Sequence, residues 1–404
     1  MRRADISPAA AGWPERAPPR RSAGAHDTGG VPSPVSGDRR RALRPGATRV
    51  EGVVSPTGRA DADAGTLLNG RQHASGPGPA HGGAVGSAGC GFASFGPRFD
   101  RKVEHGGYAW WYVDALSDDG QSGLVVIAFI GSVFSPYYAS ARRRRAGDPL
   151  DHCAVNVALY RKSGGRWAMT ERRRSAVHRT TDALAIGPSS LSWDGQELAI
   201  SISETTVPVP SALRGRVRVF PTAIADRTFA LDFEGRHRWQ PVAPSARVEV
   251  ELESPGLRWS GSGYVDSNDG ALPLEASFAN WTWSRAAVGR ESTVLYDVTR
   301  RGGDALSLAL RFDRHGAVQD FELPPEARLP PTKWRVGRTT RADGGERATI
   351  IRTLEDAPFY ARSSIAVRLL GEPTVSIHES LSLDRFATRW VQALLPFRMP
   401  RAWR

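Results

Sequence analysis

Val248-Glu249-Val250-Glu251-Leu252 alternates apolar and acidic residues without a break. Successive side chains on a strand point to opposite faces, so Val248, Val250 and Leu252 share one face and the glutamates share the other. Such a strand sits in a sheet with one wet face. Working outward, the same period recurs in Val155-Asn156-Val157-Ala158-Leu159, Leu198-Ala199-Ile200-Ser201-Ile202, Arg216-Val217-Arg218-Val219-Phe220 and Leu306-Ser307-Leu308-Ala309-Leu310. Short Gly-bearing signals punctuate these runs: Asp118-Asp119-Gly120, Trp193-Asp194-Gly195, Ser267-Asn268-Asp269-Gly270, Arg314-His315-Gly316 and Asp343-Gly344-Gly345. They read as tight turns between antiparallel strands, and the fold class expected is all-β, built as barrels or sandwiches.

One stretch has a helical period instead. Leu383, Phe386, Trp390, Val391 and Leu394 fall on one helix face and Pro396 ends the run, which predicts a short amphipathic helix near residues 380–395. With Arg385, Arg389, Arg398, Arg401 and Arg404 around it, this segment could dock on an anionic membrane or flank a barrel. Pro241-Val242-Ala243-Pro244 interrupts the strand pattern and marks the expected boundary between two β domains, 96–244 and 245–404. Residues 1–90 differ in texture, with 16 Gly, 10 Pro and a single aromatic residue, Trp13. Such a segment cannot bury enough apolar surface to offset its ordering entropy. Residues 1–95 are therefore expected to form a disordered tail, although a start codon placed too far upstream in a GC-rich gene would give the same composition.

Length and charge narrow the function. The chain has 404 residues and a net charge of +12, but only 3 of its 54 basic residues are Lys. Arginine in that excess reflects base composition, so the charge is not taken as a nucleic-acid signature and no nucleic-acid partner is expected. The apolar run over residues 124–134 is too short to span a bilayer, and no apolar stretch follows Met1-Arg2-Arg3 as a signal would require. A cytoplasmic location is expected. Cys90 and Cys153 make no disulfide framework. Phosphate-binding loops, dinucleotide fingerprints, paired metal-ligating histidines and a nucleophile elbow are all missing from the sequence.

What remains for chemistry is carboxylates, a few histidines and many indoles. The densest mixture lies in Arg236-His237-Arg238-Trp239-Gln240-Pro241 and Trp259-Ser260-Gly261-Ser262-Gly263-Tyr264-Val265-Asp266. On strands, His237 and Trp239 share a face, Tyr264 and Asp266 share a face, and Trp281 and Trp283 repeat the spacing. A carboxylic acid walled by aromatic rings can stay protonated near neutral pH and deliver its proton to carbon, while the π faces stabilise the resulting cation. Core packing for the tryptophans and a turn role for Asp266 stand as the plain alternatives.

These residues belong to a longer set that resembles the acyclic carotenoid 1,2-hydratase family (hydroxyneurosporene synthase) of phototrophic bacteria. The likeness covers roughly residues 105–400. It includes His105-Gly106-Gly107-Tyr108-Ala109-Trp110-Trp111-Tyr112-Val113-Asp114, Ile130-Gly131-Ser132-Val133-Phe134-Ser135-Pro136-Tyr137-Tyr138 and Asp148-Pro149-Leu150-Asp151-His152-Cys153. Farther on it includes Gly235-Arg236-His237-Arg238-Trp239, Gly263-Tyr264-Val265-Asp266, Pro358-Phe359-Tyr360-Ala361-Arg362-Ser363 and His378-Glu379-Ser380-Leu381-Ser382-Leu383-Asp384-Arg385-Phe386.

The resemblance implies two lipocalin-like antiparallel β-barrel domains packed together. It also implies a cofactor-independent hydro-lyase that adds water across the terminal C1–C2 double bond of acyclic carotenes such as neurosporene or lycopene, in spheroidene- and spirilloxanthin-type biosynthesis. Hydration of that trisubstituted alkene passes through a tertiary cation. In this reading Asp266 protonates C2, Trp239 and Tyr264 face the cation at C1, and His237 orients or deprotonates the attacking water. Trp111, Tyr112, Trp281 and Trp283 are expected to line the substrate site. Asp114 is the rival acid, with Glu171 and Glu379 behind it. A C40 polyene resides in the bilayer, so peripheral contact with the inner membrane is expected, through residues 125–134, Tyr137, Tyr138, the Arg142-Arg143-Arg144-Arg145 run or the C-terminal segment. The competing reading is a non-catalytic carrier of carotenoid or lipid. A hydrolase using Asp266 with a second carboxylate lacks a clear partner acid.

Overall fold

A computed structural model describes residues 96–145 and 147–402, so the expected tail at 1–95 lies outside the described residues. The first sheet contains β1 (Tyr108–Ser117), β2 (Ser122–Ile130), β3 (Cys153–Arg161), β4 (Arg166–Arg172), β5 (Val177–Arg179), β6 (Ala183–Ile186), β7 (Ser189–Trp193), β8 (Leu198–Thr205), β9 (Ala212–Pro221), β10 (Phe229–Ala230), β11 (His237–Ser254) and β12 (Leu257–Gly270). Its order is β4-β3-β2-β1-β12-β11-β9-β8-β7-β6-β5, with β10 beside β11, and the pairings are antiparallel. The sheet curls until its β4 end reaches β8. Arg172 of β4 is paired with Glu204 of β8 at 2.8 Å, and the Val207 N–H donates to the Trp167 carbonyl.

The second sheet is built from β13 (Phe278–Val288), β14 (Glu291–Arg300), β15 (Ala305–Phe312), β16 (Val318–Asp320), β19 (Thr349–Asp356), β20 (Tyr360–Leu369) and β21 (Glu372–Ser382), in the order β16-β15-β14-β13-β21-β20-β19. A small separate ribbon joins β17 (Glu326–Leu329) to β18 (Arg338–Arg341). The protein is thus mostly β, as the alternating runs required. Helices are short: α1 (Pro136–Arg143), α2 (Leu274–Ser277), α3 (Leu383–Phe386) and α4 (Arg389–Arg398).

Two cores result. The concave side of the first sheet encloses an aliphatic cluster that includes Val113, Val126, Val157, Ile200, Val217, Val248 and Val250. The second core collects the other face of β1, β2 and β3 together with β13, β14 and β21, and it is rich in rings. β1 and β3 are therefore buried on both faces, although the alternating run in β3 predicts one wet face. β8 and β9, away from the second sheet, do keep the alternation.

Three expectations need correction. Ser267-Asn268-Asp269-Gly270 is no turn: it is the end of β12, buried and paired on both sides with β1 and β11. Gly270 is there for space, since a Cβ on it would meet His237 Nδ1 and the Tyr108 ring at 2.6 Å. Pro241-Val242-Ala243-Pro244 does not separate domains. It lies within β11 where the register slips between Gln240 and Ala243 and again between Ala243 and Ala246, the kind of irregularity that tolerates a residue without an N–H. The chain passes from the first sheet to the second at residues 271–277 instead. The amphipathic helix is split at Ala387-Thr388 into α3 and α4, and Pro396 sits inside α4. Leu383, Phe386 and Val391 are buried, but Trp390 and Leu394 are 46% and 43% exposed.

Candidate active site

Between the sheets lies a cavity of about 470 Å³, within the range of small-molecule sites. Trp110, Tyr112 and Phe129 wall it from the first sheet, while Trp281, Glu379 and Leu381 wall it from the second. Residues 355–360 and α4 complete it, and Trp334, Leu394 and Phe397 stand at its rim with exposures of 45%, 43% and 73%. The run over residues 125–134, expected as a membrane contact, is largely interior. Val125, Ile127, Phe129 and Phe134 line the cavity.

Asp266 lies behind this wall. It faces Tyr112 across the β1–β12 pair, so both side chains leave the same face, and Tyr112 stands on the cavity. The Trp239 indole N–H donates to Asp266 Oδ2 at 2.9 Å and the Tyr264 hydroxyl donates to the same oxygen at 3.0 Å. Oδ1 is buried and has no partner. Burial pushes the carboxyl up to about 7; the two donors oppose that rise, and the nearby charges of Glu379 and Asp114 add to it. Because both donors end on Oδ2, the proton of the acid form belongs on Oδ1, free to be given away.

The rings close around this carboxyl. Trp239 meets Tyr296 edge to face at 5.3 Å, Tyr264 lies 5.1 Å from Trp283, and Tyr112 lies 5.8 Å from Trp283 and 6.3 Å from Tyr264. Trp281 meets Tyr296 at 6.2 Å. Asp266, Trp239, Tyr264, Tyr112, Trp281 and Trp283 are thus brought together, although only Tyr112 and Trp281 among them touch the cavity. Trp111 is not part of the group. It leaves β1 on the opposite face and packs against Phe99 at 5.0 Å in the aliphatic core. Adjacent strand residues cannot share a face, and Trp110 takes the place expected of Trp111.

His237 is also set apart. Its Nδ1 is 2.9 Å from the Tyr108 hydroxyl and its Nε2 is 2.8 Å from the Ser277 hydroxyl, so both ring nitrogens are committed. Burial pulls its imidazolium down to about 4, which leaves the ring neutral. Asp114 is clamped by Arg285 and Arg362 and is no cavity residue. Glu171 is held by His152 and Arg401 near α1, also off the cavity.

Sequence reading passed over Arg362. It is fully buried, and besides Asp114 it binds Glu379 and donates to the Tyr112 hydroxyl at 2.6 Å. Glu379 in turn accepts from that hydroxyl at 2.8 Å. Arg362 and Glu379 are register partners on β20 and β21, a pairing that spacing along the chain does not reveal. Tyr296 and Glu355 were missed for the same reason.

Residues 126–404 match the family model described as Carotenoid hydratase CrtC. The acyclic carotenoid 1,2-hydratase of Thiocapsa roseopersicina is 52% identical over 402 residues, covering 99% of each chain. That of Rubrivivax gelatinosus is 48% identical, covering 93% of this chain and 94% of its own, and that of Cereibacter sphaeroides is 42% identical over 68% of this chain and 98% of its own. The likeness to the Thiocapsa protein extends beyond residues 105–400 into the N-terminal segment. With a family model spanning most of the chain and relatives this similar, the protein belongs to the carotenoid hydratase family.

Proposed function

We propose that this protein adds water across the terminal C1–C2 double bond of an acyclic carotene, without a cofactor, and that Asp266 supplies the first proton. The reading rests above all on one observation: a carboxyl held near neutrality by burial, with Oδ1 unpartnered among indole and phenol rings, one residue behind a cavity wall. Protonation at C2 leaves a tertiary cation at C1. The Trp239, Tyr264 and Trp283 π faces stabilise that charge, by about 2 kcal/mol each where water is excluded. In this reading the isopropylidene end of the polyene enters past Tyr112 towards Oδ1, while the rest of the chain fills the cavity and leaves through the rim. His237 supports the end of β12 through Tyr108 and Ser277 rather than handling water.

The rim suits a substrate delivered from lipid. Trp334 and Trp390 stack at 6.0 Å, Leu394 and Phe397 stand beside them, and Lys333, Arg335, Arg389 and Arg398 are exposed around the opening. Among the described residues no helix is long and apolar enough to cross a membrane. Peripheral docking of the rim on an anionic bilayer brings the opening against the polyene's own medium. Incubation with lycopene or neurosporene in anionic liposomes is expected to yield product heavier by one water. Bound polyene of unchanged mass would favour a carrier. Phe397→Asp is expected to lower co-sedimentation with the liposomes several-fold.

A further inference from the structure

Asp266 explains how the cation forms but not what accepts the proton of the incoming water. His237 has no free ring nitrogen for it, and Asp114 has both oxygens on guanidinium groups. Three carboxylates of the second sheet line the cavity, Glu355, Asp356 and Glu379, and Asp356 accepts from the Lys333 N–H beside Trp334 at the rim. Glu355 accepts from the Tyr160 hydroxyl and faces Arg398, whose side chain is 46% exposed at the rim. Glu379 stands deeper. Its bonds from Tyr112 and Arg362 both end on Oε1, and Oε2 takes part in neither. Tyr112 pairs in register with Asp266 and also lines the cavity, so Glu379, bonded to Tyr112, flanks the path that the proposed function gives the alkene. Its negative charge is felt at Asp266.

We propose that Glu379 is the catalytic base of the hydration, held at the cavity wall by Arg362 and Tyr112, and that it removes the proton from water as water attacks C1. This rests on the hydratase reading above. The alkene π pair takes the proton from Asp266 Oδ1 and forms the C2–H bond. A water lone pair then forms the C1–O bond, and the excess proton on that oxygen passes to Glu379 Oε2. Asp266 is left ionised and Glu379 protonated. Transfer of one proton from Glu379 back to Asp266 through solvent restores both, so the sum is alkene plus water giving a tertiary alcohol, with no change in oxidation state. Two carboxyl groups divide the work by environment: the acid sits among rings, and the base sits on a buried guanidinium.

The two half-reactions separate in heavy water. Enzyme that can protonate C2 but cannot complete hydration returns the cation to alkene by losing a proton, and recovered polyene then carries deuterium. Glu379→Gln is expected to hydrate neurosporene in liposomes about 100-fold more slowly, the lower end of a general-base contribution. Its recovered substrate is expected to gain deuterium at least as fast as with the unaltered protein. Asp266→Asn is expected to lose both signals, and Glu379→Asp to recover part of the hydration. Tyr112→Phe, which removes the phenol's bond to Oε1 and the one it accepts from Arg362, keeps Arg362 and Glu379 paired and is expected to slow hydration several-fold with exchange retained. Hydration by folded Glu379→Gln within about threefold of the unaltered rate would overturn the proposal, as would loss of exchange together with hydration in both Glu379→Gln and Tyr112→Phe. If the unaltered protein neither hydrates nor exchanges, the hydratase reading itself fails.

Discussion

The two cores of this protein are fed by the same strand, one residue out of phase. Ala109, Trp111, Val113 and Ala115 of β1 enter the first core, and Tyr108, Trp110 and Tyr112 enter the second. The first is filled with Val, Leu, Ile and Ala, whose branched side chains interdigitate to crystal-like density. The second gathers Tyr, Trp and Phe from both sheets beside three buried ionisable groups, Asp114, Asp266 and Arg362, and the partly buried Glu379 carboxylate. This core holds the cavity. One core is scaffold. The other keeps desolvated charge close to open space, an arrangement that lowers stability and suits proton transfer to carbon.

On that division, the largest effect comes from the smallest change. Asp266→Asn preserves shape but removes the proton on Oδ1, and hydration is expected to fall by about 10³-fold or more, within the range of a lost general acid. Product mass after timed incubation measures it. Folded Asp266→Asn with full activity would assign the acid elsewhere.

Tyr264→Phe gives a smaller, more diagnostic result. The phenol donates to Asp266 Oδ2 and thereby opposes the upward push of burial on that carboxyl. Activity of the unaltered protein is expected to decline as pH rises through about 7, because the acid form of Asp266 is the donor. Without the phenol the carboxyl shifts further up, so the alkaline limb of the pH profile should move to higher pH while the maximal rate drops about tenfold through the lost cation stabilisation. An alkaline limb that stays in place would detach it from Asp266.

The same carboxyl links activity to stability. Its folded-state value of about 7 lies above the ordinary 3.8, so its favourable share in stability is complete below about 3.8 and is lost as pH rises through about 7. Asp266→Asn removes that loss. At pH 8 the variant is expected to unfold at higher temperature than the unaltered protein, by at most about 4 kcal/mol for a shift of roughly three units. At pH 4 the two should be similar. His237 acts in the opposite sense: neutral in the fold with a value of about 4, it draws stability down as pH falls from about 6.5 to about 4.

Much of the second core could be read from sequence because period two survives there as shared faces. His237 with Trp239, Tyr264 with Asp266, and Trp281 with Trp283 are each two apart, and all six side chains are buried in or beside that core. The same rule, applied to Trp110-Trp111-Tyr112, selects Trp110 and Tyr112 and rejects Trp111. What spacing could not give was register between distant strands. Arg362 meets Glu379 through β20–β21 and Asp114 from β1, across 248 positions of sequence in the latter case. Nor could turn chemistry be told from close packing at Ser267-Asn268-Asp269-Gly270, because a glycine that admits two rings has the same letters as one that turns a chain.

Trp111→Phe supplies the weakest expected effect and the sharpest check on the boundary between the cores. Trp111 is 1% exposed and its indole nitrogen has no hydrogen-bond partner, so the substitution removes volume from the aliphatic core without breaking a polar contact. The expected cost is roughly 1–3 kcal/mol of stability. Hydration rate and KM should remain within about twofold, since β1 presents this residue away from the cavity. Thermal unfolding beside the hydration assay reads both numbers on one preparation. A KM that rises more than tenfold in a stable Trp111→Phe protein would mean that substrate senses both faces of β1, and the separation of scaffold from site along that strand would not hold.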